Sequence, residues 1–147
     1  MINTEPYIKC LKDELRRVSS PEKAASSKRY FTEGFRCLGA NAADIKLILK
    51  DFQSQYSELN AEQTLTISEV FLKEAQYNEE FLLAFALINK FVKRHYDDAL
   101  LDRFEYWLEN YANNWSLVDD LCIKTIYQFL ISRPYLIDKT QHWAYSK

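Results

Sequence analysis

Trp115 and Asp119 are the two residues whose types and spacing most readily suggest chemistry. They stand four apart, and on a helix that spacing stacks them on one face. A carboxylate held there supplies a negative charge fixed before any reaction begins. An indole ring beside it offers a flat surface with a negative face. Together they suit a centre that becomes cationic. The structural alternative is plain: a Trp near a helix start is often a core anchor, and an Asp in the first turn often serves the helix dipole.

Other candidates are sparser. Tyr30 follows the basic pair Lys28 and Arg29. A phenol can donate to a phosphate or pack on a sugar, and the two cations can meet backbone phosphates. Half-buried packing for the Tyr, and plain solvated charge for at least one cation, are the competing readings, since adjacent helical residues point about 100° apart. His95 and His142 have no partner at ligand spacing, and Asp119-Asp120 diverge as consecutive helix positions. No metal site and no cofactor is expected. Gly-rich phosphate loops, nucleophile elbows and HExxH strings are absent.

The elements that must position these residues are helices. The chain has 147 residues, 48% hydrophobic and 27% charged, which is room for one domain with a real core. Two Gly and three Pro are too few turn-formers for a hairpin-rich β fold. A first helix is predicted from Glu5 to Val18. Ser20-Pro21 opens a second, running to about Phe31. Thr32–Gly39 reads as a loop, with Gly34 or Gly39 able to take left-handed geometry. Asn41 starts a third helix carrying Ile45, Ile48, Leu49 and Phe52. Asn60 caps a fourth, with Val70, Phe71 and Ala75.

Asn78 caps a fifth, with Glu79 and Glu80 suited to the helix dipole. Its stripe is Phe81, Phe85, Ile88 and Val92, with Ala84 allowing close approach. A sixth begins near Asp97, with Leu100, Phe104, Trp107, Leu108 and Tyr111. Asn113 or Asn114 caps a seventh, from Trp115 to Ser132. Arg133-Pro134 breaks it, and an eighth runs toward Tyr145. The aromatic residues, 15% of the chain, fall mostly on these stripes and read as core.

Helices of these lengths with short connections pair into antiparallel hairpins of about 35 to 45 residues, the size of HEAT-type repeats. The expected fold is all-α: a HEAT-like solenoid of antiparallel helix pairs, about eight helices in a curved right-handed stack, forming one domain over 1–147. A compact helical bundle is the alternative.

Two segments carry a more specific signal. SSPEKAASSKRYFTEGFRCLG (Ser19–Gly39), continuing into AADIKLILKDF, and NNWSLVDDLC (Asn113–Cys122) together resemble the DNA alkylation repair family AlkD. The likeness extends over essentially the whole chain, resting on apolar pattern more than identity between those strings. It implies a HEAT-like solenoid gripping double-stranded DNA on its concave face. It also implies excision of positively charged N3- and N7-alkylated purines without flipping the lesion into a pocket. Trp115 and Asp119 are then the catalytic positions. The indole packs on the sugar, and the carboxylate faces an oxocarbenium-like deoxyribose and orients water. Tyr30 falls on the DNA-facing side, and its neighbours Lys28 and Arg29 could contact backbone phosphate. A cationic alkylpurine leaves readily, so such a site needs no strong general acid.

The resemblance further implies a catalytic Arg on a helix beyond Lys147, so an incomplete site is expected. An apolar edge formed by Leu136, Trp143 and Tyr145 is expected to promote self-association. The net charge of −2 is unusual for a nucleic-acid binder. It is uneven: residues 1–60 hold ten Lys/Arg against eight Asp/Glu, and 61–147 nine against thirteen. A non-catalytic DNA-binding module or a protein-interaction scaffold are the alternatives. Cys10, Cys37 and Cys122 are scattered, with no CxxC spacing, and read as buried free thiols in a reducing compartment. No stretch approaches the roughly 18 apolar residues of a membrane span, and the N-terminus lacks an apolar signal core. A cytoplasmic protein without membrane contact is expected.

Overall fold

A computed structural model describes residues 2–19, 39–112 and 114–145, with side chains described except at 115, 116 and 141–145. It is all-helical, and no strand occurs among the described residues. Helix α1 (Glu5–Val18) matches its prediction, turning Ile8, Leu11 and Leu15 inward and closing on Arg16 and Arg17 at its negative end. The predicted helix at 21–31 lies outside the described residues.

Helices α2 (Ala42–Gln55) and α3 (Ala61–Glu74) begin as expected. The Asn41 side chain accepts from the Asp44 N–H at 2.8 Å, and Asp44 accepts in return from the Asn41 N–H at 3.2 Å. Asn60 and Gln63 repeat that reciprocal cap at 2.8 and 3.1 Å. Gly39, just before α2, has φ 94°, the left-handed region that a Cβ resists. Tyr7 of α1 packs edge-on against Phe52 and Tyr56, joining α1 to α2.

Helix α4 (Asn78–Ala86) is the hub. It touches α1, α2, α3, α6 (Trp115–Asp120) and the turn that follows α6. Leu83, Ala84 and Phe85 are fully buried, as a helix enclosed by neighbours requires. The Ala84 side chain permits that close approach. One expectation needs correction here. The cap is Tyr77, with Asn78 inside the helix. Glu79 and Glu80 stand in the first turn, as expected for the helix dipole, and are buried, at 3% and 6% exposure. Glu79 accepts the Gly39 and Ala40 N–H groups at 2.8 and 3.0 Å, and Glu80 accepts those of Gln76 and Tyr77 at 2.8 and 3.1 Å. A buried carboxylate costs several kcal/mol unless donors surround it, and these backbone groups supply them.

The α-helical run ends at Ala86, short of the expected Val92. Tighter turns follow to His95, closed by bonds such as Phe91 N–H to the Ile88 carbonyl at 2.9 Å. The carbonyls of Val92, Lys93 and Tyr96 turn to the Arg133 guanidinium instead of extending the helix. Ile88 and Val92 are nevertheless fully buried.

Helix α5 (Leu100–Asn110) lays Phe104 and Trp107 into the core. Trp107 stacks on Phe85 at 5.8 Å between centroids, and Phe104 meets Phe129 edge-on at 5.3 Å. The Trp107 indole N–H donates to Glu69 of α3 at 3.3 Å, which satisfies the polar end of a buried ring. The predicted seventh helix is one helical run with a change of pitch. It consists of α6, a π-helical segment at Leu121–Ile126, and α7 (Tyr127–Ile131). The wider turn is marked by Tyr127 N–H reaching back to the Cys122 carbonyl. It carries Thr125, fully buried, whose hydroxyl donates to Asn89 at 2.6 Å.

The last expected helix is a 3₁₀ run, Pro134–Tyr145. Leu136 does not form an exposed edge: it is buried in the core, while Tyr135 and Ile137 face solvent. The side chains of Trp143 and Tyr145 lie outside the described residues. The packing order, with α4 seated on α3 before it and on the α6 run after it, is compatible with stacked helix pairs.

Tyr96 ties the turn after α4 to α3, its hydroxyl donating to the Ala61 carbonyl at 2.7 Å. Burial, with the Glu62 charge second, pushes this phenol well above the usual tyrosine range. The stability linked to the neutral phenol is therefore complete below the unfolded tyrosine value, about pH 10. It is lost as pH rises toward the folded value. Tyr96→Phe is expected to cost about 1 kcal/mol at neutral pH in urea denaturation. It is also expected to remove part of the loss of stability above about pH 10, which denaturation across pH reads directly.

Candidate functional site

Asn114 starts the helix that carries the sequence-predicted catalytic pair. Its side-chain oxygen accepts the Leu117 N–H at 3.0 Å, so Trp115 is the first helical residue and Asp119 lies one turn later. The helical backbone therefore sets the two positions on one face. The side chain of Trp115 lies outside the described residues, as do Tyr30, Lys28 and Arg29 altogether.

The two adjacent carboxylates are separated by their surroundings. Asp120 pairs with Lys124 at 2.9 Å and is mostly covered. Asp119 is exposed and enters no ion pair among the described residues. Asp119 also acts on Cys122: burial first, and then the Asp119 charge, push that thiol above its ordinary value. Cys10 and Cys122 are free and half-buried rather than fully buried, and Cys37 is outside the described residues. Asp119→Asn should bring the Cys122 thiol back toward its ordinary value and speed its alkylation by iodoacetamide roughly twofold at pH 8. Peptide-resolved mass spectrometry separates it from Cys10 and Cys37.

Beyond Asp119 the helical run presents an apolar column. Ile123, Tyr127 and Ile131 are 64%, 57% and 49% exposed. A four-residue step overshoots an α turn and falls short of a π turn, so the mixed pitch keeps Asp119, Ile123, Tyr127 and Ile131 near one line. The sequence signal was available as an i, i+4, i+8 spacing that lies off the buried stripe of Leu117, Leu121, Thr125 and Phe129.

No group of three or more His, Cys, Asp or Glu able to hold a metal occurs among the described residues. None of the described helices is long and apolar enough to cross a membrane.

These features define a class: an all-helical protein whose long, mixed-pitch helix presents an exposed carboxylate at the head of an apolar column. The family model of DNA alkylation repair enzymes matches residues 11–147, and the chain belongs to that family. No curated protein and no solved structure matches the chain.

Proposed function

We propose that the chain binds duplex DNA and hydrolyses the N-glycosidic bond of N3- and N7-alkylated purines. The observation that carries this reading is Asp119, exposed and outside any ion pair among the described residues, on the α6 run of a chain of the DNA alkylation repair family. As the C1′–N9 bond breaks, its electron pair moves onto the alkylated base. The base, already cationic, departs neutral. Positive charge develops on the deoxyribose ring, and Asp119 meets it with a charge that needs no reorganisation. The Trp115 ring packs on the sugar and favours the same cation. Water then bonds to C1′ through oxygen, and its proton passes to Asp119 or to solvent. Tyr30, Lys28 and Arg29 contact the phosphate backbone in this reading. Ile123 and Tyr127 offer an apolar surface for neighbouring sugars.

The test is release of N7-methylguanine from a duplex holding one lesion, with the chain in excess. Time-dependent appearance of free base and of an abasic site supports the proposal. The net charge of −2 favours a second reading, a module that binds DNA or protein without catalysis. Salt-sensitive duplex binding with no base release would establish that one instead.

A further inference from the structure

We infer that Asn78 is a positioning residue for the helix that carries Asp119. This inference rests on the glycosylase reading above.

Asn78 and Asn114 meet side chain to side chain, the Asn114 amide N–H donating to Asn78 Oδ1 at 3.1 Å in a partly buried contact. Asn114 uses its other end, Oδ1, to cap Leu117. Both ends of one amide are thus engaged, which fixes its rotation and with it the first turn of α6. A cap alone sets where a helix begins. A cap bonded to a second helix also sets where that helix points.

Asn78 itself sits on a rigid support. It is the first residue of α4, between the Tyr77 cap and the buried Glu79 and Glu80. Glu80 closes the turn onto Gln76 and Tyr77. Glu79 fixes it to Gly39 and Ala40, where the chain emerges from the segment that includes Tyr30. One turn of α4 therefore holds both the start of the Asp119 helix and the entry to α2. Misplacing a preorganised charge by about 1 Å costs up to about a hundredfold in rate, so loss of this contact should appear in the chemical step.

The chemistry of the amide pair supplies a discriminating set of variants. Asn78→Ala removes the acceptor. Asn78→Asp keeps it. Asn114→Asp keeps the Leu117 cap, and the Asn78 amide can turn over to donate to the new carboxylate. The double variant Asn78→Asp/Asn114→Asp sets two acceptors face to face and loses the bond, although each single change preserves it.

The experiment is single-turnover release of N7-methylguanine at saturating protein, with duplex affinity and melting temperature measured on the same samples. Asn78→Ala and the double variant should lower the plateau rate by at least about tenfold, with affinity within about twofold of the original chain. Each single Asp variant should stay within about threefold. A plateau unchanged in Asn78→Ala, or a loss that simply follows weaker binding or lower melting temperature, overturns the proposal alone. An original chain that releases no base, or an Asp119→Asn variant that releases it undiminished, removes the underlying reading and this inference with it.

Discussion

Asp119→Asn should abolish base release while leaving the fold and the grip on DNA intact. The rate is expected to fall at least about a hundredfold, the size of effect seen when one preorganised electrostatic partner of a transition state is removed. The substitution keeps shape and hydrogen-bonding capacity and deletes the charge, so it isolates the charge. The side chain is exposed and outside any ion pair among the described residues. Its replacement should therefore move stability by no more than about 0.5 kcal/mol. The effect on binding has the opposite sign to that on rate. A carboxylate facing a polyanion repels it, so its removal should leave duplex affinity equal or slightly tighter. Single-turnover kinetics, an equilibrium binding isotherm and a denaturation curve separate the three. A rate within about threefold of the original would remove Asp119 from the chemistry. A slower rate with proportionally weaker binding would make it a binding residue.

The parts of the fold legible in the sequence are those settled within a few residues. Asn41, Asn60 and Asn114 cap helices because each offers its side chain to an N–H three positions on. Gly39 takes positive φ where only a residue without Cβ does so cheaply. The stripe of α5 reaches the core because its period is that of the helix. What escaped is what distant residues decide. Glu79 is buried because its donors stand 39 and 40 residues away. Ile123 and Tyr127 are apolar in type like core residues, and only their spacing, off the buried stripe, marks them as outside. The π turn leaves no mark in apolar periodicity, since a change of pitch over one turn shifts the stripe by less than a residue. For the candidate site, the sequence spacing set Trp115 and Asp119 on one helical face, and the structure adds that Asp119 is exposed. It did not reveal the Asn78 contact, because Asn78 reads locally as a cap.

Arg133 marks the same boundary, and its removal should produce the largest loss of stability predicted here. Beside Pro134 it reads as part of a helix break. In the fold it is 8% exposed, and its guanidinium donates to the carbonyls of Val92 at 3.0 Å, Lys93 at 3.4 Å and Tyr96. It also lies over the Phe129 ring, 4.2 Å from the centroid, with Asp98 at 3.7 Å. Those carbonyls belong to the turns that end the α4 segment, where no backbone N–H of a continuing helix donates to them among the described residues. The fork of one guanidinium serves several at once, which a point charge does not. Arg133→Ala leaves buried acceptors without donors and should cost about 3 kcal/mol. For a chain of this length that corresponds to a fall of roughly 10 °C in melting temperature. Arg133→Lys keeps the charge but serves fewer acceptors, and should recover less than about half of that loss. A thermal melt of the three proteins decides the matter. Recovery by Lys to the original value would show that charge alone holds the turn. Loss retained by Lys would show that the forked geometry of the guanidinium joins the end of α7 to the turns that follow α4.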